Sequence, residues 1–136
     1  MAATLVRGGR VEILKDYLAQ SAAALSLILI KEVAGLSDTT VFGDLAEANY
    51  SGYTNNNPVF PNPALDGANK ASTTAPQLTF SHNGGVIANT IKGYALIEIA
   101  EPTDKLLFWE ALPADRTMGA GGDTITVTPT LTLTQG

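Results

Sequence analysis

His82 is the one histidine of the chain, and with Ser81 beside it and Asp44 elsewhere it completes, on paper, the set a serine hydrolase uses. Neighbouring strand residues point to opposite faces, however, so Ser81 and His82 are poorly placed to share a proton. His82 reads instead as an ordinary residue beside an Asn83-Gly84-Gly85 turn. One histidine and no cysteine leave little from which to build a zinc or iron site, and no disulfide. Asp38, Asp44, Glu47, Asp104, Asp115 and Asp123 offer hard oxygen ligands, but they lack the spacing of a calcium loop and read as solvated carboxylates. No feature points two of them into one cleft, as a glycosidase requires. Gly119 to Asp123 (GAGGD) is glycine-rich but precedes a strand. A phosphate cradle needs a helix behind its glycines, so this is a hairpin or corner turn. Asn49-Tyr50-Ser51 matches a glycosylation triplet, a pattern common by chance and here without a secretion signal. The expectation is a protein with no catalytic, cofactor or metal site, and not an enzyme.

The aromatic residues Tyr50, Tyr53, Phe60, Phe80, Tyr94, Phe108 and Trp109 admit two roles. Core packing is one. An exposed sugar-binding platform is the other, and it would use Tyr50, Tyr53 and the nearby Asn55 to Asn57. Phe108 and Trp109, as neighbours, face opposite sides of their strand, so one enters the core and the other meets a partner or a loop.

The elements that must position these residues are mostly strands. Val11 to Gln20 predicts the one helix, with Val11, Leu14 and Leu18 on one face. The residues before it, 1–10, predict a flexible arm or short edge strand. Leu25 to Ile30 is apolar on nearly both faces, which predicts a strand buried inside a sandwich or under a partner. Three consecutive asparagines and four prolines predict a long loop from Thr54 to Pro76. Strands are expected at Gln77 to Ser81, then a tight turn at Asn83-Gly84-Gly85 with pairing resumed over Val86 to Thr90. Further strands follow at Lys92 to Ala100 and Lys105 to Leu112. Strict alternation of threonine with Ile125, Val127, Leu131 and Leu133 predicts a half-buried strand over Asp123 to Thr134, with Pro129 placing it at an edge or at a bulge. Together these give an all-β fold, an antiparallel β-sandwich of jelly-roll type with one short N-terminal helix, over residues 11–136.

The chain has 136 residues, one domain's length, and 45% of them are apolar. Only 15% are charged, well below the usual share, and the net charge is −5. A nucleic-acid binder needs clustered Lys and Arg, so that class is excluded as an expectation. The longest apolar run, Ala22 to Ile30, is too short for a membrane span. Low charge suits a surface partly covered by another protein.

Six pieces in order carry a resemblance: LKDYLA at Leu14 to Ala19, LSLILIKE at Leu25 to Glu32, FxxLAEANYSGY at Phe42 to Tyr53, GYALIE at Gly93 to Glu98, KLLFWEAL at Lys105 to Leu112 and GDTITVTPTLTL at Gly122 to Leu133. In this order the chain resembles small virion proteins encoded by tailed bacteriophages, over most of its length except the 54–76 loop. The resemblance implies a β-rich structural component of the particle, a capsid decoration or cement protein. It further implies a virion location after assembly in the host cytoplasm, the major capsid protein or other virion subunits as partners, and a homo-oligomer, with a trimer favoured. Neither nucleic acid nor membrane is expected as a partner. The candidate interface residues are Leu27, Leu29, Tyr50, Tyr53, Phe60 and Trp109. The alternatives are a carbohydrate-binding host-recognition module and a neck or tail component.

Overall fold

A computed structural model of the chain describes residues 6–21 and 24–133. Among them are one α-helix, one 3-10 turn and eight strands arranged in three antiparallel sheets, so the fold is mostly β. The chain divides into two compact units. One takes residues up to 23, 58–77 and 128 onward; the other takes 24–57 and 78–127.

The first unit holds α1 (Arg7–Ser21), β2 (Ala64–Leu65), β3 (Ala71–Thr74) and β8 (Thr130–Leu133), with the strands in the order β2-β3-β8. The helix buries Leu14, Leu18 and Ser21, spaced so that all three fall on one stripe, and lies against this sheet. It begins at Arg7 and not at Val11, so Arg7 to Arg10 of the expected arm form its first turn; residues 1–5 of that arm lie outside the described residues. Its early start is tied down by Arg10, whose guanidinium donates to the Asn69 carbonyl at 3.1 Å. The expected loop from Thr54 to Pro76 also contains structure. A hairpin of β2 and β3 closes around Asp66, whose carboxylate accepts from the Ala68 and Lys70 amides. Proline and glycine density concealed these strands because both are short and β2 is exposed.

In the second unit β1 (Leu25–Ile30), β5 (Asn89–Glu98) and β6 (Lys105–Met118) form one sheet in the order β1-β5-β6. β4 (Leu78–Ser81) and β7 (Thr124–Val127) form another. All six residues of β1 are buried. Ile28 and Ile30 meet Ala95 and Ile97 on one face, which Val33, Leu36, Phe42 and Leu45 of the following segment cover. On the other face Leu27 pairs with Leu96 and Leu29 with Tyr94. Burial of β1 on both faces explains why its sequence does not alternate. β5 is buried on both faces, with Tyr94 and Leu96 on one and Ala95 and Ile97 on the other. Gly93 sits where a Cβ would lie 2.6 Å from the Glu110 carbonyl oxygen and 2.7 Å from the Val33 side chain.

Two pairings differ from the expectation. Asn83-Gly84-Gly85 does not close a hairpin: β4 pairs with β7, Val86 is 99% exposed, and β5 starts only at Asn89. The threonine-alternating segment is two strands, β7 paired with β4 and β8 paired with β3. Pro129 lies in the break between them, where its missing N–H costs no ladder bond.

Candidate functional site

β6 is the outermost strand of its sheet, and its outer edge carries no strand among the described residues. Two irregularities shape it. Leu107 is an extra residue between the pairs Leu96–Phe108 and Ile97–Leu106, and residues 112–115, including Pro113, stand out between Ile91–Arg116 and Gly93–Ala111. Bulges and proline are the usual means of blunting a free edge. The regular run left between them is Phe108 to Ala111.

Along this edge runs a groove, in two stretches of about 430 Å³ and 480 Å³ that share Thr40 and Leu106. One wall is the segment from Ser37 to Gly43, the other the residues from Thr103 to Trp109. Leu106, Leu107, Phe108 and Trp109 are all half-buried there, four successive apolar side chains neither enclosed nor fully wet. Trp109 joins the Ile28–Ala95 cluster and donates its indole N–H to the Ser37 carbonyl at 3.1 Å, which fixes the segment as a wall. Phe108 turns to the other face and meets Tyr94 edge-on at 6.3 Å. The neighbours thus face opposite sides as the strand period requires, but the expected division of roles differs: Trp109 both packs on the core cluster and meets the loop, while Phe108 stays half-buried. The Asp44 carboxylate accepts from the Val41 amide and holds the 3-10 turn at Phe42–Asp44, shaping the far end of the same wall.

The other sequence-derived interface residues are placed differently. Leu27 and Leu29 are 0% exposed and Tyr50 is 2% exposed, so all three are interior and offer a partner no surface. Tyr53 and Phe60 are half-buried, Phe60 in the unit that holds α1. Tyr50 and Tyr53 contact each other at 5.4 Å, and Tyr53 stacks on Phe80, so the rings form an internal cluster and not a sugar platform. The amides of Asn56 and Asn57 donate to the backbone carbonyls of Thr79 and Leu25. Tyr and Asn at this density read equally well as platform or as core with backbone satisfaction, and only tertiary pairing separates the two.

The Ser81–His82–Asp44 set is not assembled. His82 is 4% exposed and stacks on Tyr50 at 5.6 Å. Its Nδ1 accepts from the Gly84 amide at 2.9 Å, which leaves the ring proton on Nε2, donated to the Ile87 carbonyl at 2.9 Å. Ser81 is exposed and Asp44 caps its turn. Two of the other acids hold backbone: Asp104 accepts from Ala100, and Asp123 accepts from Gly119 and Ala120, closing the GAGGD corner between β6 and β7. These bonds hold the Asp123 carboxyl below its ordinary value. No three His, Cys, Asp or Glu side chains come together among the described residues.

Sequence reasoning named Trp109 but missed Leu106, Leu107 and the Ser37–Gly43 wall. The signal was present in KLLFWEAL, apolar on both faces like β1 yet bounded by Lys105 and followed by Pro113, residues suited to an edge. The chain matches no protein-family model, no curated protein and no solved structure.

Proposed function

We propose that this chain is a non-enzymatic structural protein that clamps neighbouring subunits of a larger shell, a capsid decoration or cement protein of a tailed-phage virion. The observation that carries the reading is the groove beside β6, where four consecutive half-buried apolar residues border a free strand edge. Its occupant is an extended segment of a shell subunit, the major capsid protein. That segment adds a short ladder to Phe108–Ala111 and places alternate side chains against Leu106 and Trp109. The bulges on either side confine pairing to this run, so the edge accepts one short strand and does not propagate open-ended association. The resemblance in the order of sequence pieces supports the virion setting, and with it a trimer. The antiparallel sandwich remains the architecture we favour, supported by the burial of β1 on both faces.

The low charge of the chain means that binding rests on apolar contact and strand pairing, which survive moderate salt better than surface ion pairs do. The experiment strips the protein from particles, adds it back over a salt series and follows genome release on heating. Restored heat resistance that persists at high salt, and is lost with Leu107→Asp, is the expected result. Particles equally heat-resistant with and without the protein would overturn cementing.

A further inference from the structure

We propose that Asn83 is the site of a self-catalysed modification, in which the Gly84 amide nitrogen closes onto the Asn83 side chain with His82 as the base. Three groups meet within three consecutive residues and the next. The Gly84 N–H, the proton that must leave for its nitrogen to attack, already points at His82 Nδ1 at 2.9 Å. The Asn83 Oδ1, the oxygen that gains negative charge in the attack, accepts the Gly85 N–H at 2.9 Å. Glycine at position 84 puts no side chain in the path of the ring closure.

The surroundings hold this arrangement in place. Asn83 is pinned by its own amide, which donates to the Ser51 carbonyl at 3.1 Å, and by Gly52, where a Cβ would lie 2.8 Å from the Asn83 Cβ. Ile87 is fixed in turn: its carbonyl accepts from Ser51 N–H and its own N–H donates to Ser51 Oγ. That carbonyl also receives His82 Nε2–H, so it orients the ring with Nδ1 free of hydrogen and stabilises the cation formed when Nδ1 takes a proton. The His82 backbone is held as well: its amide donates to the Asp123 carbonyl at 3.0 Å, and the Asp123 carboxylate in turn accepts from Gly119 and Ala120. The Asn83 side chain itself is exposed, which gives water access to the product.

In the reaction the Gly84 nitrogen bonds to the Asn83 side-chain carbon while its proton passes to His82 Nδ1. The carbon–Nδ2 bond then breaks, and the proton held by His82 leaves with that nitrogen as ammonia. The product is a five-membered succinimide. Water opens it at one of its two carbonyls, giving either aspartate or isoaspartate at 83, the second with one more carbon in the main chain. No oxidant or cofactor takes part. Cyclisation also removes the N–H that His82 accepts, so the ring loses one of its two backbone tethers.

Trypsin releases residues 71–92 as one peptide, because no Lys or Arg lies between Lys70 and Lys92. Mass spectrometry of this peptide after incubation of the purified protein follows the loss of ammonia and the later gain of water. Asn89, in the same peptide, is the internal control. Positioned base catalysis is worth about 100-fold or more, so Asn83 in the folded protein should react at least about tenfold faster than in the same protein unfolded in urea, with Asn89 unchanged. His82→Gln in folded protein should bring the rate down to the unfolded one. A folded rate equal to or below the unfolded rate overturns the proposal, and so does a folded His82→Gln protein that reacts as fast as the parent. The comparison of folded with unfolded parent decides the matter alone if the variant does not fold.

Discussion

The Tyr53 hydroxyl donates to Glu47 at 2.7 Å, and the pair fills a gap in the backbone ladder along the outer edge of β1. On that edge Ile30 bridges Glu47 and Leu27 bridges Asn56, but the residues between loop away. The Leu29 N–H would be left over in an apolar layer. It donates instead to the Tyr53 oxygen at 3.3 Å, so a phenol stands in for a strand carbonyl. Removing that oxygen with Tyr53→Phe should cost about 1–3 kcal/mol, the penalty of a buried unsatisfied amide. Glu47→Gln, which leaves an acceptor in place, should cost less. Urea unfolding of both variants measures the difference, and equal losses would assign the stability to the carboxylate.

Three tyrosines should resist ionisation. Burial pushes the hydroxyls of Tyr50, Tyr53 and Tyr94 above the ordinary value of 10.0, with Glu47 adding to the shift at Tyr53 and Glu110, hydrogen-bonded to Tyr94, adding to it there. A raised folded value means that the folded state holds these protons after the unfolded state has released them. Their contribution to stability is therefore complete below 10.0 and declines as pH rises beyond it. Phenolate absorbance should lag behind that of a free tyrosine and then rise together with loss of the folded circular dichroism. Early ionisation of all four tyrosines in a folded protein would contradict this.

Asp123 should set part of the acid sensitivity. The Gly119 and Ala120 amides favour its charged form, so its carboxyl lies below the ordinary 3.8. Its contribution is present above 3.8 and is lost as pH falls through the lower folded value. Asp123→Asn keeps an acceptor but removes the titration. The unfolding midpoint of the variant should fall less steeply than that of the parent over that acidic range, and parallel curves would show that the turn does not depend on the charge.

Gly93→Ala tests the close approach of β5 to its cover. The new methyl would meet the Glu110 carbonyl, which belongs to a paired strand and cannot swing aside. A loss of about 1–3 kcal/mol is expected, the usual cost of overpacking. Leu27→Ala, in a position with no exposure, should cost about 2–5 kcal/mol. An unchanged melting temperature in either variant would place slack where the structure has none.

Local pattern was a good guide wherever burial is decided by one strand and its immediate cover. The two faces of β5, the double burial of β1 and the division of Phe108 from Trp109 all follow from the period of two. Partner choice was not legible. Asn83-Gly84-Gly85 has the composition of a hairpin turn, yet the amides of Gly84 and Gly85 are committed to His82 and Asn83 side chains, and β4 finds β7 more than forty residues on. Threonine alternation runs unbroken through Pro129, so nothing in the period reveals that its halves pair in different sheets. At the groove, the apolar run of β6 was visible but its wall was not, because the wall begins with the polar run Ser37 to Thr40, which is held in place through Trp109.

The division of the threonine segment also governs the order in which the chain can fold as it is synthesised. α1 is made early, but the sheet it lies against lacks β8 until residues 130–133 have been added. The other unit has all its strands by Val127, so its last strand emerges from the ribosome ahead of β8. The middle of the sequence is therefore complete before the helix in front of it has its full cover. A chain truncated after Val127 should keep the 24–57 and 78–127 unit folded while Leu14 and Leu18 lack part of their cover.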